Sequence, residues 1–322
     1  MFPVVQNRSR LTKSTGGWLS SLVSNVIGCQ AAAESQRGEQ MAKETQDRFV
    51  DVSGVRTRYW KLGDSGPAVV LLAGIGCSVR EWWANIAGLA QSHRIYALDM
   101  LGAGLTDKPD GDRYSLPQLA RFTLDFMSTQ GEERACLIGN SLGGRIALEC
   151  ARLSPERVRA MVLVAPAGVG RKTLITMRLP TVPVLGELMT RPSRAGMRML
   201  WRSAFSDSAF VTEELVEEKY ALASLPGAQA AFLRTLRGFV GLGGFRRGPL
   251  DEIQAAMSGM TQPTLVVWGR DDRLLPVAQA QILKAKLPSC RVVVFDNCGH
   301  LPQIEKADAF NTSALEFLQT VP

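Results

Sequence analysis

The chain has 322 residues, 46% of them hydrophobic and 21% charged, which supports a large buried core and excludes wholesale disorder. No apolar run reaches the roughly 18 residues that a membrane-spanning helix needs. The formal charge is +7, but the chain contains no finger, recognition-helix or RNA-binding motif. We therefore predict no nucleic-acid partner.

Cysteine and histidine are scarce, with six and two residues respectively. They form no Cys-x-x-Cys pair and no cluster with the spacing of metal ligands, so we predict no metal and no cofactor. Cys136 and Cys150 stand in strongly apolar stretches and are expected to be buried thiols in a reducing compartment, which favours the cytoplasm. The turns at 74–76 and 102–104 lack the third glycine of a dinucleotide-binding loop.

Residues 1–47 do not share the pattern of the rest of the chain. Apolar residues recur at helical spacing over residues 17–28, which predicts a short amphipathic helix. One hypothesis is a dispensable tail, with Met41 as the true start. The others are a targeting segment or a peripheral contact with a membrane or lipid interface, either of which would predict a membrane-associated or exported protein.

From Phe49 onward, strand and helix patterns alternate. Phe49–Val52 and Val55–Trp60 predict a hairpin around Ser53-Gly54, and Ser115 to Gln118 predict a capping box that opens a helix. Short apolar runs, each followed by a helical segment, predict a mostly parallel central sheet covered by helices on both faces, an α/β fold. These strands are expected at Ala68–Leu72, Arg94–Leu98, Ala135–Ile138, Met161–Val164, Thr264–Trp268 and Arg291–Phe295.

About a hundred residues separate the strands that end at Val164 and begin at Thr264, and no good strand is predicted between them. Prolines and glycines divide this stretch into helical pieces, so we predict an inserted helical cap over residues 169–258. The expected core is then 48–168 together with 259–322. The cap has twelve Lys or Arg against eight Asp or Glu, and its apolar content suits a cover over an apolar pocket.

The strongest chemical signal is the sequence Gly139-Asn140-Ser141-Leu142-Gly143 between an apolar strand and a helix. A serine on so sharp a strand-to-helix turn is held in a strained backbone with its hydroxyl exposed above the sheet edge. The positions two before and two after must be small, as Gly139 and Gly143 are. We therefore predict that Ser141 is a nucleophile.

A serine hydroxyl needs a base within hydrogen-bond reach, and the chain offers His93 and His300. His300 follows the last predicted strand, where a loop at the carboxyl edge of the sheet would deliver an imidazole. His93 precedes a strand, where a surface or strand-edge position is expected. We predict that His300 is the base.

The base needs a carboxylate that orients it and stabilises its charged form. Asp271 and Asp272 both follow the strand at 264–268, and residue type and position leave the choice between them open. The alternative acid position after Val164 holds Ala165-Pro166-Ala167. The chain order serine, aspartate, histidine fits this architecture.

Over roughly residues 48–320 these motifs resemble the capped α/β-hydrolase superfamily. The resemblance also includes Asp99-x-x-Gly102-x-Gly104, and its pattern Gly-x-x-Asp-x-x-x-Pro selects Asp272 as the acid. It implies an oxyanion hole made by the backbone N–H groups of Ile75 and Leu142. One departure is Ala73, which stands where the family usually has histidine.

The resemblance implies a serine hydrolase that needs no cofactor and acts on a small-molecule ester with an apolar acyl or aromatic group. The sharp strand-to-helix turn that carries Ser141, called the elbow below, and the sequence around Asp272 also resemble hydrolases that cleave C–C bonds in ring-cleavage dienoates. Those enzymes have a glycine-rich oxyanion loop and a tryptophan after the histidine, where this chain has Leu301. A third alternative is a non-catalytic ligand-binding protein on the same scaffold.

Overall fold

The computed structural model describes residues 45–322, so the expectations for residues 17–28 and Met41 lie outside the described residues. The described chain opens with an antiparallel hairpin of β1 (Arg48–Val52) and β2 (Val55–Leu62). Ser53 and Gly54 have φ of 52° and 80°, as in the two-residue turns whose twist matches that of the strands. The predicted hairpin is confirmed.

Eight further strands follow along the described chain, and six of them lie at the predicted apolar runs. They are β3 (Ala68–Leu72), β4 (Arg94–Leu98), β5 (Ala135–Asn140), β6 (Val158–Val164), β7 (Val240–Gly241), β8 (Gly244–Phe245), β9 (Thr264–Gly269) and β10 (Cys290–Phe295). Eight strands form one sheet in the order β1-β2-β4-β3-β5-β6-β9-β10. The pairs β1–β2 and β2–β4 are antiparallel, and the pairs from β4 to β10 are parallel. The predicted mostly parallel sheet is confirmed.

Helices cover this sheet. The α-helices are α1 (Ile86–Leu89), α2 (Leu116–Thr129), α3 (Leu142–Leu153), α4 (Ile175–Arg178), α5 (Leu185–Met189), α6 (Arg194–Ala204), α7 (Glu213–Ala223), α8 (Ala228–Phe239), α9 (Arg247–Met257), α10 (Ala280–Lys286), α11 (Pro302–Glu305) and α12 (Ala307–Gln319). Short 3-10 turns lie at Val79–Trp82, Pro155–Arg157, Leu179–Thr181, Ser208–Phe210 and Val277–Gln279. The capping box at the start of α2 is present, with the Ser115 N–H donating to Gln118 Oε1 at 3.1 Å.

The central strands are buried on both faces. Side chains alternate between the two faces of a strand, yet every residue of β3 and of β5 is buried. Burial on both sides explains why these segments are continuous apolar runs rather than alternating ones. Cys136 and Cys150 are both buried, as expected.

The segment between β6 and β9 departs from the prediction in one detail. It contains helices α4 to α9, but also a two-stranded hairpin of β7 and β8, so the expectation of no strand there is wrong. Gly244, at φ 99°, starts the second strand, and so short a hairpin has no apolar run to reveal it. Residues Thr45–Pro322 form one compact unit, so the division into core and cap remains a proposal.

No helix within residues 45–322 combines the length and apolar character needed to cross a bilayer.

Candidate active site

Ser141 lies on the sharp turn between β5 and α3. Its backbone has φ 54° and ψ −113°, a conformation that is costly for any residue with a side chain. Three backbone hydrogen bonds hold the turn. The N–H of Ser141 donates to the Val164 carbonyl at 2.9 Å, and its carbonyl accepts from Arg145 at 3.1 Å and Ala167 at 2.9 Å. The helix begins at Leu142, directly after the serine.

Two glycines make the turn sterically possible. A Cβ on Gly139 would lie 2.3 Å from the backbone of Gly143, and a Cβ on Gly143 would lie 2.1 Å from the Leu72 carbonyl oxygen. Both distances are far below van der Waals contact, so a side chain at either position would force β3, β5 and α3 apart. The sequence requirement for small residues around Ser141 therefore has a direct packing cause.

His300 is hydrogen bonded to Asp272, with its Nδ1 atom 2.8 Å from Oδ2 of the carboxylate. Oδ1 of the same carboxylate accepts the N–H groups of Leu274 and Leu275 at 2.8 and 2.9 Å. Oδ2 also accepts the indole N–H of Trp268 at 3.1 Å. Asp272 is buried, with Oδ2 facing the imidazole and Oδ1 held by the two backbone N–H groups.

Asp271 occupies a different environment, since its residue is exposed. Its backbone N–H donates to the Cys298 carbonyl at 2.9 Å, which ties the Asp271 turn to the loop that carries His300. The structure therefore pairs His300 with the second of the two aspartates.

Two residues that the sequence analysis did not single out hold the His300 loop. Asn140 is buried, and its side-chain amide donates to the carbonyls of His300 at 3.1 Å and Val164 at 3.2 Å. The Glu305 carboxylate accepts the N–H of Gly299 at 2.7 Å, and burial raises the pKa of that carboxyl. Their sequence signal is weak: Asn140 adjoins the predicted nucleophile, and Glu305 follows His300 by five residues.

The two predicted oxyanion-hole residues flank Ser141. Leu142 is the first residue of α3, where a backbone N–H has no partner within the helix. Ile75 lies in the turn closed by the Cys77 N–H to the Gly74 carbonyl at 3.2 Å. A Cβ on Gly74 would lie 3.5 Å from Cβ of Ser141, so this loop passes directly beside the serine.

A cavity of about 320 Å³ connects these groups. Ser141, His300, Ile75 and Leu142 all line it, together with side chains from α4 to α8. Most of its lining is apolar. The large apolar side chains that the segment between β6 and β9 contributes are Met177, Met189, Met197, Met199, Leu200, Trp201, Leu222, Phe232, Leu236, Phe239 and Phe245.

Lys219, on α7, brings a buried cation to the same cavity. Its ammonium group is hydrogen bonded to the buried carboxylate of Glu81 and, at 3.0 Å, to Glu218. Burial opposes the charged form, but the two carboxylates raise the pKa of Lys219 above its ordinary value. The cation is therefore present but already neutralised by protein groups.

Asp99 anchors two loops next to the cavity. Its carboxylate accepts the N–H groups of Val79 at 2.6 Å and Leu105 at 2.7 Å, and it lies 2.7 Å from Nε of Arg58. Gly102 and Gly104 of the same segment line the cavity. The Asp99 motif therefore shapes the cavity wall.

His93 lies immediately before β4 and is only 4% exposed, so of the two expected positions the surface is wrong and the strand edge is correct. Its Nδ1 atom lies 2.9 Å from the Ser92 hydroxyl, and burial lowers its pKa. The residue packs under the loop of Gly63, where a Cβ added to Gly63 would lie 2.2 Å from the carbonyl oxygen of His93.

Within residues 45–322 no group of three His, Cys, Asp or Glu is arranged to hold a metal ion.

The fold and the elbow agree with a comparison across protein families. A family model described as the alpha/beta hydrolase fold matches residues 67–307, about three quarters of the chain. The chain belongs to the α/β-hydrolase family. The resemblance seen in the sequence motifs is thus confirmed, and hydrolysis is the general activity of this α/β-hydrolase.

Three individual proteins are similar to this α/β-hydrolase over most of its length. This α/β-hydrolase is 32% identical over 276 residues to the 2-hydroxy-6-oxo-6-phenylhexa-2,4-dienoate hydrolase of Comamonas testosteroni, covering 84% of this chain and 93% of that one. It is 31% identical over 289 residues to the dihydrolipoyllysine-residue acetyltransferase component of the acetoin cleaving system of Cupriavidus necator, covering 90% and 73%. A solved meta-cleavage product hydrolase from Pseudomonas fluorescens has a TM-score of 0.73 and 28% identity, covering 86% and 98%.

Proposed function

We propose that this protein is a serine hydrolase that cleaves carboxylic esters with an apolar acyl or aromatic group through an acyl-enzyme on Ser141. The proposal depends on one observation. The strained Ser141 and the hydrogen-bonded pair of His300 and Asp272 line or adjoin the same apolar cavity. Nucleophilic acyl transfer uses a serine nucleophile, a histidine base and an aspartate that orients the histidine.

In the proposed mechanism, Asp272 accepts the Nδ1–H of His300, which leaves Nε2 free to accept the hydroxyl proton of Ser141. The serine oxygen bonds to the ester carbonyl carbon, and the proton then passes from His300 to the departing alcohol. A water molecule next attacks the acyl-enzyme while His300 takes its proton. Transfer of that proton to the serine oxygen releases the acid and restores the site.

The negative oxygen of each tetrahedral intermediate needs donors beside Ser141. We assign the N–H groups of Ile75 and Leu142 to this role, since both residues line the cavity next to the serine. The start of α3 adds the positive end of a helix dipole. Backbone donors do not depend on the side chain at Ala73, so the departure from the family pattern leaves this assignment intact.

The cavity favours a neutral, apolar substrate. Its walls from the insertion are mainly Met, Leu, Phe and Trp side chains, which suit an acyl chain or an aromatic ring. Lys219 is the buried cation that could attract a carboxylate, but its ammonium group already forms ion pairs with Glu81 and Glu218. A negatively charged substrate group would have to displace one of them.

C–C bond hydrolysis of a ring-cleavage dienoate is the second candidate. Two observations favour it: the 32% identity to a dienoate hydrolase over most of both chains, and the sequence around Ser141 and Asp272. The neutralised Lys219 and the apolar Leu301 next to His300 count against it. A dienoate carries a carboxylate, and the buried cation Lys219 is already paired with carboxylates. The other cations of the lining are Lys108, which is half-buried and donates to the backbone carbonyls of Gly104 and Thr106, and the exposed Arg191.

Covalent labelling tests the nucleophile. A fluorophosphonate probe should label the wild-type protein but not Ser141→Ala, while the matched control Ser203→Ala, another serine that lines the cavity, should label like wild type. Equal labelling of Ser141→Ala would contradict the mechanism. Absence of labelling in the wild-type protein, with a ligand still bound, would favour the non-catalytic alternative.

A substrate panel tests the specificity. Turnover of p-nitrophenyl esters of graded acyl length should exceed turnover of a ring-cleavage dienoate, with an optimum at medium-length apolar acyl groups. Efficient cleavage of the dienoate with negligible ester turnover would move the assignment to the second candidate.

A further inference from the structure

Polar groups hold helix α5 to helix α8. The Glu187 carboxylate accepts two hydrogen bonds from the Arg237 guanidinium on α8, at 2.8 and 3.0 Å. The amide of Gln229, also on α8, donates to the Glu187 carbonyl at 2.7 Å and to the Thr190 hydroxyl at 3.1 Å. These bonds fix α5 against α8.

The large apolar side chains of α5 are exposed to solvent. Leu185, Leu188 and Met189 stand at positions i, i+3 and i+4, which share one face of a helix, and they are 38%, 67% and 45% exposed. Val184, immediately before them, is 71% exposed. Soluble proteins expose single apolar side chains routinely, whereas a contiguous exposed group marks a surface that meets an apolar partner.

The backbone at Val184 reinforces this interpretation. Val184 has φ 68°, in the left-handed region that is disfavoured most strongly for β-branched residues. The strain does not place the valine in the core, because its side chain is the most exposed of the large hydrophobic residues in the described chain. It presents an apolar side chain to solvent.

This surface adjoins the mouth of the catalytic cavity. Met189 of α5 and Met199 of α6 both line the cavity, and they are 45% and 69% exposed. We define the apolar ridge as Val184, Leu185, Leu188, Met189 and Met199. A molecule held against the ridge would therefore lie next to the opening that leads to Ser141.

The surroundings of the ridge are basic. Residues 171–199 contain six Lys or Arg and a single acidic residue, Glu187, which Arg237 neutralises. Two of the six, Arg194 and Arg198, pair with glutamates of α7. Arg171 and Arg178 donate to backbone carbonyls, which do not cancel their charge, and Arg191 is exposed at the cavity lining.

We propose that the apolar ridge docks this protein on an anionic phospholipid surface. Apolar side chains would insert at the level of the acyl chains, and the surrounding cations would attract the phosphates of anionic lipids, as at other interfacial protein surfaces. The docking itself is independent of the catalytic proposal. Only the delivery of a lipid ester to Ser141 rests on the proposed function.

Vesicle binding of the full chain tests the docking. We compare vesicles of equal parts phosphatidylcholine and phosphatidylglycerol with vesicles of phosphatidylcholine alone, using wild type, the double variant Val184→Ser/Leu188→Ser and the matched control Phe49→Ser. Phe49 is exposed on β1, outside the ridge. The double variant should lose at least about tenfold in partition to the anionic vesicles, and the control should bind like wild type.

Three further readouts decide the outcome. Turnover of a soluble short-chain ester should be equal in all three proteins, since neither Val184 nor Leu188 lines the cavity; low turnover in all would count against the catalytic proposal alone. Unchanged vesicle binding by the double variant would overturn the docking proposal. So would a fall in molecular mass on the double substitution, measured by light scattering, because the ridge would then join two copies of the chain.

Discussion

The carboxylate of Asp272 lies 2.8 Å from Nδ1 of His300 and accepts two backbone N–H groups through its other oxygen. The two backbone donors fix the orientation of the carboxylate, and with it the position of the oxygen that contacts the imidazole. Oδ2 also accepts the Trp268 indole N–H, so rotation of the side chain would break several bonds at once. The imidazole is thus held by a carboxylate that is itself rigid.

Asp272→Asn should reduce kcat on a p-nitrophenyl ester by about 10³–10⁴-fold, because the amide favours the wrong tautomer of the imidazole. Asp271→Asn is the matched control and should stay within about twofold of wild type, since its side chain is exposed. Steady-state kinetics of the two variants check the prediction. A larger loss for Asp271→Asn would reverse the assignment.

Gly143→Ala should destabilise the protein by about 3 kcal/mol or more, because the added methyl group would lie 2.1 Å from the Leu72 carbonyl oxygen. Gly238→Ala is the control. It lies in α8, and its added methyl would meet the Tyr114 carbonyl oxygen at an ordinary 3.8 Å. Its effect should lie within about 1 kcal/mol of zero, with helix propensity favouring alanine. Urea unfolding followed by circular dichroism measures both, and equal stability of the two variants would disprove the packing argument.

Glu132→Gln should lower stability at neutral pH and lose this effect in acid. Hydrogen bonds from Arg94, aided by the Tyr96 hydroxyl, hold the pKa of Glu132 below its ordinary value of 4.5. A carboxyl whose pKa is lower in the folded than in the unfolded chain stabilises the fold above its unfolded pKa. That contribution disappears as pH falls through the folded pKa.

The expected loss at pH 7 is about 1–3 kcal/mol, the range for hydrogen bonds to a charged group. Glu133→Gln, at the exposed neighbouring position, should change stability by less than about 0.5 kcal/mol. Denaturant midpoints measured from pH 7 down to the acid range check both variants. A difference between Glu132→Gln and wild type that stays constant with pH would contradict the prediction.

Glu81→Gln should change which esters the protein accepts. The substitution removes one of the two negative charges that neutralise Lys219 at the cavity wall. The ratio of kcat/KM for an ester with a terminal carboxylate to that for its neutral analogue should therefore rise about five- to tenfold, the effect of roughly 1 kcal/mol of Coulomb attraction.

Glu217→Gln provides the control for that change. Glu217 is on the same helix as Lys219, but it pairs with Arg194 and is half exposed, so the ratio should stay as in wild type. The thermal stability of Glu81→Gln must be measured as well, because the Glu81 carboxylate also accepts the Ser78 N–H. An unchanged ratio in a folded Glu81→Gln protein would show that Lys219 does not control charge selectivity.

The sequence alone was sufficient for the sheet and the elbow. Strands such as β3 and β5 are continuous apolar runs because both of their faces are buried, and this pattern is legible without coordinates. The turn at Ser141 is equally legible, since only glycine fits where Gly139 and Gly143 meet their neighbours. Local steric and burial constraints restrict which residue types can occur at a position, so they can be recognised in the sequence.

Tertiary structure decided which distant groups meet and which way they face. The Asn140 amide reaches a carbonyl 160 positions away at His300, and the Lys219 ammonium meets Glu81 across 138 positions. Such pairs depend on strand order and loop paths, which residue types do not encode locally. Likewise, the spacing of the apolar residues of α5 is visible in the sequence, but only the structure shows that Leu185, Leu188 and Met189 are exposed to solvent.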